Sequence, residues 1–168
     1  VIGEGGNLGM TQNGRIEFAR RGGRVNTDFI DNSGGVDCSD HEVNIKVLLD
    51  QVVRDGDLSG KHRNQLLEQM TDEVADLVLR NNYLQTEALS MAEIMAEELF
   101  DEHVNFMHAL EKGGRLERAT WYLPDDEALA ERRAARQGLA RPELAVLLAY
   151  SKIDLFDALL DSDVCEDP

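Results

Sequence analysis

Basic side chains are scarce in this sequence. Its 168 residues include 17 Lys and Arg against 33 Asp and Glu, a formal net charge of −16. Nucleic-acid binding needs clustered cations that displace counterions from phosphates, and anionic membrane surfaces attract basic segments for the same reason. The sequence therefore predicts no nucleic-acid partner and no membrane partner, and its acidity indicates a well-solvated surface.

Cysteine and long apolar runs are equally scarce. Cys38 and Cys165 lie far apart without metal-ligand spacing, which favours reduced thiols in a cytoplasmic protein. The alternative is a single disulfide between them. No segment is apolar for long enough to cross a bilayer, and none has the pattern of a targeting signal. The acids and the histidine within Asp37–Glu42 are interpreted as partners of a helix dipole. Those within Glu98–His108 are interpreted as a solvated helix face, so no metal ligand is predicted.

Residues 1–31 have the pattern of a strand, a helix and a second strand. The elements are a short buried strand at Val1–Ile2, a glycine-rich turn at Gly3–Gly9, a helix capped by Thr11 and closed by Gly22–Gly23, and a strand at Arg24–Phe29. A unit of this size predicts a parallel pair of strands joined by a right-handed crossover. Because Val1 stands where an initiator Met would and leads directly into a strand, we expect a piece of a longer chain.

The remainder of the sequence is helical in pattern. Apolar residues recur at helical spacing in five segments, and each stripe is expected to bury one helix face. The predicted helices cover Asp37–Val53, Ser59 to the Asn81–Asn82 pair, about Thr86–Leu110, a short helix capped by Asp125 or Asp126 and ending at Gly138, and a last helix that starts at Pro142.

Two loops follow the predicted strands and precede helices. They are Gly3–Gly9 and Asp31–Val36, and each contains several glycines and an asparagine. In a parallel pair both loops lie at the carboxyl edge of the sheet, where open α/β sheets bind ligands. Asn7 and Asn32 should therefore be neighbours, with glycines that admit a ligand close to the backbone. Either loop alone could be no more than a tight turn.

The wording of these loops is similar to a known family. The stretches Glu4–Asn7 (EGGN) and Asn32–Glu42 (NSGGVDCSDHE) resemble the end of the dinucleotide-binding domain of glutamate dehydrogenases, where EGAN is followed by NAGGV and then a serine. Gly6 and Ser33 each replace an alanine of that pattern. The segment Leu139–Lys152 (LARPELAVLLAYSK) resembles the very large bacterial NAD-specific branch.

The resemblance implies a division of roles within one active site. Asn7 and Asn32 match amides that contact the nicotinamide end of NAD, while Gly5, Gly6, Gly34 and Gly35 match residues beside the cofactor. Ser39 matches a serine that binds the side-chain carboxylate of the substrate. The implied reaction converts L-glutamate, NAD and water to 2-oxoglutarate, ammonia and NADH. The catalytic lysine and aspartate of the family and its phosphate-binding glycine loop have no counterpart in these residues, so no catalytic residue is predicted here.

The expected fold is mainly α. Residues 1–31 would form the last strand–helix–strand edge of a Rossmann-like α/β domain, and residues 32–168 a helical, bundle-like C-terminal region. The expected partners are glutamate and 2-oxoglutarate, the rest of the same polypeptide, and further copies in a homo-oligomer. Without the resemblance, residues 43–168 alone would support a different function, a non-catalytic helical interaction or oligomerisation domain.

Overall fold

A computed structural model describes residues 1–166, with the side chains of the last two excepted. Helices dominate this part of the chain, which confirms the mainly α prediction. The α-helices are α1 Gln12–Arg20, α2 Asp28–Asp31, α3 Ser33–Arg54, α4 Gly60–Gln69, α5 Thr71–Ile94, α6 Phe100–Lys112, α7 Asp126–Ala134 and α8 Arg141–Leu160, with 3-10 turns at Arg118–Trp121 and Asp163–Glu166.

The N-terminal segment pairs in parallel at a single point. Ile2 and Val25 form an isolated parallel bridge, and the Ile2 N–H donates to Arg24 O at 2.8 Å. The predicted strand at 24–29 is wrong beyond this bridge, because the Thr27 carbonyl accepts the N–H groups of Ile30 and Asp31 and starts α2 instead. Val1, predicted as part of a buried strand, is 93% exposed.

The first helix has the termini that its sequence predicts. The Thr11 hydroxyl accepts the Gly14 N–H at 3.1 Å, and Gly22 adopts φ +84°, a left-handed conformation that glycine reaches without strain. Further along, Ser59 caps α4 through the His62 N–H and Asp125 caps α7 through the Ala128 N–H, both as predicted.

One predicted interruption of a helix is absent, and one helix predicted as continuous is interrupted. Asn81 and Asn82 lie inside α5, where their amides bond to Asp37 of α3 and to the Val78 carbonyl rather than breaking the helix. The long helix expected over 86–110 is instead divided between Ile94 and Phe100. The backbone at Gly138 presses against this break, since a Cβ there would lie 2.5 Å from Ala96.

The core of the described chain lies where α5, α6, α7 and the first half of α8 meet. Its most deeply buried members include Leu89, Met107 and Ala145, each at most 1% exposed. Beside the core, the Trp121 ring packs edge-on against Phe29 and Tyr150 and donates its N–H to the Tyr150 hydroxyl at 2.9 Å. Aromatic contacts of this kind thus join α2 to α8.

Buried polar contacts at the start of α8 fix its position. The Glu143 carboxylate, 0% exposed, forms a two-pronged ion pair with Arg132 of α7 and accepts the Ala140 N–H. Arg141 reaches Asn26, the Ser90 hydroxyl and Glu93. Because Gln12 of α1 also donates to the Pro142 carbonyl at 3.1 Å, the N-terminal segment is packed directly on α8.

The expectation that each helical stripe is buried is wrong for parts of three helices. Large apolar side chains that stay substantially exposed are Val43, Val47 and Leu48 in α3, Leu79, Met91 and Ile94 in α5, and Ile153, Leu155, Phe156 and Leu160 in α8. These surfaces meet nothing within the described chain that could cover them.

Two further observations concern cysteine and membranes. Cys38 is a free, exposed thiol, and the side chain of Cys165 lies outside the described part of the chain. None of the helices described over 1–166 combines the length and the apolar character that crossing a bilayer requires.

Candidate functional site

The first glycine loop is organised around the buried carboxylate of Glu4. Its two oxygens accept the Met10 N–H at 2.8 Å and two Arg15 nitrogens at 2.5 and 2.9 Å. The Arg15 hydrogen bond lowers the pKa of Glu4 and outweighs the opposing effect of burial. The loop is therefore fixed by an ionised Glu4 that ties its start to its end and to α1.

Two further acids, both on α2, hold the backbone of the same loop. Asp31 accepts the Glu4 N–H at 2.8 Å, and Asp28 accepts the Leu8 N–H at 2.9 Å while lying 3.3 Å from Arg15. Burial, the largest effect on Asp28, would raise its pKa, but the Leu8 hydrogen bond and the Arg15 charge together lower it. Loop 3–9 and α2 are thus one hydrogen-bonded unit.

Asn7 and Asn32 line the same open cleft, which has a volume of about 740 Å³. The Asn32 amide donates to the Gly5 carbonyl, a contact that joins the two glycine segments directly. The two asparagines, 25 positions apart in sequence, thus line one cleft as strand geometry predicted, although residues 1–31 form only the Ile2–Val25 bridge and no extended strands. Helices α3, α5 and α8 form the other walls of the cleft.

The second glycine segment is not the loop that the sequence predicts. Ser33–Val36 form the first turn of α3, so Gly34 and Gly35 are helical residues. A Cβ added at Gly5, Gly6 or Gly35 would meet nothing within 4 Å, and none of the three has a positive φ. The packing and conformation of this chain therefore leave glycine unexplained at these positions, which suits backbone that a ligand approaches closely.

Ser39 lies apart from this cleft. Because α3 begins at Ser33, the serine falls in the second turn, whereas the helix predicted from Asp37 would place it in the first. Its hydroxyl is exposed and donates to the Gly35 carbonyl at 3.1 Å. The helix dipole acts mainly within the first turn, so it would add little to the binding of a carboxylate at Ser39.

Sequence reasoning missed several polar residues on the opposite wall. The Ser33 hydroxyl donates to Asn82, the Gln85 amide donates to Ser33 at 3.0 Å, and the Lys152 ammonium donates to Gln85. Helical spacing offered a signal, since Leu148 and Lys152 lie four residues apart on one face of α8, as Asn81 and Gln85 do on α5. The spacing within each helix does not show that α5 and α8 meet near Asn32, so the sequence alone could not combine these residues into one wall.

The histidines expected on a solvated face are divided in the structure. His108 is exposed and lies 3.1 Å from Asp126, whereas His103 is half-buried with an unpartnered Nδ1, and burial lowers its pKa. Among the side chains that the structure describes, those of residues 1–164, no three His, Cys, Asp or Glu are grouped as metal ligands would be.

Comparison with known proteins assigns the chain to a family. A family model described as "Bacterial NAD-glutamate dehydrogenase, catalytic domain" matches residues 1–92, and one described as "Glutamate dehydrogenase, C-terminal" matches residues 136–168. Proteins named NAD-specific glutamate dehydrogenase are 60% identical over 167 residues in Pseudomonas aeruginosa, 55% over 168 in Halomonas elongata and 46% over 164 in Mycobacterium tuberculosis.

These matches cover 98–100% of this chain but only 10% of each relative, so the chain spans about a tenth of the length of the curated proteins it matches. The first family model spans both glycine segments and the α3–α5 wall of the cleft, and the second spans α8. Identity at this level over nearly every residue shows that the chain belongs to the bacterial NAD-specific glutamate dehydrogenases.

Proposed function

We propose that this chain contributes the nicotinamide end of the active site of an NAD-dependent glutamate dehydrogenase. The whole enzyme would convert L-glutamate, NAD and water to 2-oxoglutarate, ammonia and NADH. The observation that carries the proposal is the shared cleft of Asn7 and Asn32, built from two separate segments and joined by the Asn32–Gly5 hydrogen bond.

The residues of the cleft fit the cofactor that the family name implies. NAD, when bound, accepts a hydride at its nicotinamide ring, and the ring carries a carboxamide that pairs well with side-chain amides. Asn7 and Asn32 would bind and orient that carboxamide. Gly5, Gly6, Gly34 and Gly35 would leave room for the ring close to the backbone. The ion pairs of Glu4, Arg15 and Asp28 would keep the loop rigid, which lowers the entropy cost of binding.

The substrate role of Ser39 rests on the family resemblance, because its hydroxyl is not among the groups that line the cleft. We retain it as part of the proposal since the side chain is exposed, and rotation of the hydroxyl would redirect its one proton from the Gly35 carbonyl to a substrate carboxylate. The matching lysine and aspartate that would perform proton transfer are not proposed within these residues.

We propose the rest of the same polypeptide as the main partner of the exposed apolar surfaces on α3, α5 and α8. The curated relatives are about ten times as long as this chain, and surfaces of this kind are rare on isolated proteins. A homo-oligomer of the whole enzyme, a cytoplasmic location and a Rossmann-like setting for residues 1–31 belong to the same proposal.

The decisive experiment measures NADH formation by the full-length enzyme with L-glutamate. We expect glutamate-dependent reduction of NAD. The Asn7→Ala variant should raise KM for NAD two- to tenfold, the loss of roughly one neutral hydrogen bond of 0.5–1.5 kcal/mol. Asn13→Ala, an exposed asparagine on α1, is the matched control and should change nothing. A wild-type enzyme that fails to reduce NAD with glutamate would refute the proposal.

A further inference from the structure

Lys152 is the only cationic side chain among the described residues that line the cleft. It extends from α8, and two acids of α3, Asp37 and Asp40, line the same space. In a chain with a net charge of −16, a lone cation directed to a cleft is a specific feature rather than part of a general surface charge.

The ammonium of Lys152 is positioned by an amide and not neutralised by a contacting carboxylate. It donates to the Gln85 side-chain oxygen, and Gln85 in turn donates to the Ser33 hydroxyl at the start of α3. An ammonium has three protons to donate, and among the side chains described, those of residues 1–164, the structure gives it one hydrogen-bond partner and no ion pair within 4 Å. A cation held in place by one amide, with no contacting carboxylate, can still donate hydrogen bonds to an anion.

The environment supports the same conclusion. Partial desolvation lowers the pKa of Lys152, whose side chain is otherwise exposed, and the charge of Asp37 opposes this effect. An incoming anion would stabilise the charged form and compensate for the lost hydration. Apolar side chains, including Phe29, Leu84 and Leu148, also line the cleft, and an ion pair beside them is stronger than one surrounded by water.

The position of Lys152 also indicates which anion it would bind. This step rests on the function proposed above. Hydride transfer requires the amino-bearing carbon of the substrate to lie against the nicotinamide ring. If Asn7 and Asn32 hold that ring, an anion in the same cleft is a carboxylate of the amino acid, and the cofactor phosphates lie farther away. We propose that Lys152 binds a carboxylate of glutamate and of 2-oxoglutarate, with Gln85 positioning its ammonium.

The test compares Lys152→Gln with Lys46→Gln in the full-length enzyme. Lys46 is an exposed lysine of α3 paired with Glu42, so it is a matched control outside the cleft. A hydrogen bond to a charged group is worth about 1.5–3 kcal/mol, so Lys152→Gln should raise KM for glutamate and for 2-oxoglutarate by roughly ten- to a hundredfold. KM for NAD should stay within about twofold, Lys152→Arg should recover part of the loss, and Lys46→Gln should match wild type.

Gln85→Leu tests the positioning of the Lys152 ammonium. It removes the hydrogen bond that supports the cation but leaves the cation, so it should raise KM for glutamate less than Lys152→Gln does, at unchanged thermal stability. Equal increases in KM for glutamate and NAD in Lys152→Gln would overturn the assignment, as would unchanged values for both.

Direct binding separates this inference from the proposed function. Calorimetry with glutarate, a dicarboxylate that cannot react, should show binding to wild type and a matching loss of affinity in Lys152→Gln. An enzyme without glutamate-dependent activity would refute the proposed function, yet the glutarate titration would still decide whether Lys152 binds a carboxylate. Equal glutarate affinities in wild type and Lys152→Gln would refute the inference alone.

Discussion

The hydroxyl of Ser39 is the residue on which the resemblance and the structure diverge most. The family pattern gives it to the substrate, while the structure places it at the end of the second turn of α3, bonded to the Gly35 carbonyl. A serine bonded to the carbonyl four residues before it contributes little to helix stability. The substrate role and a purely local role therefore make different predictions for one substitution.

We expect Ser39→Ala in the full-length enzyme to lower kcat/KM for glutamate by roughly ten- to a hundredfold, the loss of one hydrogen bond to a charged group. KM for NAD should change far less, because the hydroxyl is assigned to the substrate. Thermal stability should also stay nearly constant, since the side chain is exposed and caps no helix. Thr71→Ala, which removes an exposed hydroxyl with the same backbone contact on α5, is the control. Unchanged glutamate kinetics in Ser39→Ala would end the substrate assignment.

At the scale of the helices and loops, sequence patterns predicted termini better than interiors. Thr11, Ser59, Asp125 and Gly22 mark helix ends correctly because each cap depends on a few neighbouring backbone groups. The Asn81–Asn82 pair predicts a break, but the helix continues because the two side chains find partners on α3 and on the preceding turn. Such partners come from tertiary packing, which local propensity does not contain.

The same reasoning explains what was foreseen of the site. The proximity of Asn7 and Asn32 follows from chain order around one parallel contact, and that much was accessible from sequence. The wall formed by Gln85 and Lys152 was not, because it depends on how α5 and α8 pack against α3. The acids of α2 were also missed, since Asp28 was read as part of a strand.

The unit formed by loop 3–9, α1 and α2 depends on the buried charges of Glu4, Arg15 and Asp28. Glu4→Gln should destabilise the chain by about 3 kcal/mol at pH 7, the lower end of the range for breaking a buried ion pair, because Asp28 still accompanies Arg15. Glu17→Gln breaks an exposed pair with Arg21 on α1 and should cost less than about 0.5 kcal/mol. Denaturant unfolding of both variants measures the difference.

The pH dependence of that difference follows from the lowered pKa of Glu4. A carboxyl whose pKa is lower in the folded state contributes stability above its unfolded pKa, and that contribution is lost as pH falls through the folded value. The difference in unfolding free energy between wild type and Glu4→Gln should therefore be largest at neutral pH. It should become smaller once pH falls below 4.5, the ordinary pKa of a glutamate side chain. A gap that stays constant down to pH 3.5 would contradict the assignment of the stabilising charge to Glu4.

At the scale of the whole molecule, the chain has features expected of one side of a binding site. The cleft is open, a Cβ at Gly5, Gly6 or Gly35 would meet no part of the described chain, and apolar surfaces on three helices are exposed. All three features are those of a surface that other parts of a larger enzyme complete. The 168 residues should therefore fold around the α5–α8 core but recognise only part of a dinucleotide.

This leads to an expectation for cofactor binding by the 168-residue chain alone. Tight NAD binding needs groups that hold the pyrophosphate, and the glycine loop that performs this task in the family has no counterpart here. The net charge of −16 also repels the anionic cofactor at low salt. Calorimetry should therefore detect no NAD binding tighter than roughly millimolar, equivalent to about −4 kcal/mol.

Full-length enzyme titrated under the same conditions is the control and should bind NAD measurably more tightly. Micromolar affinity of the isolated chain would mean that the cleft of Asn7 and Asn32 holds the cofactor without any phosphate loop, and the division of the site proposed above would have to be abandoned.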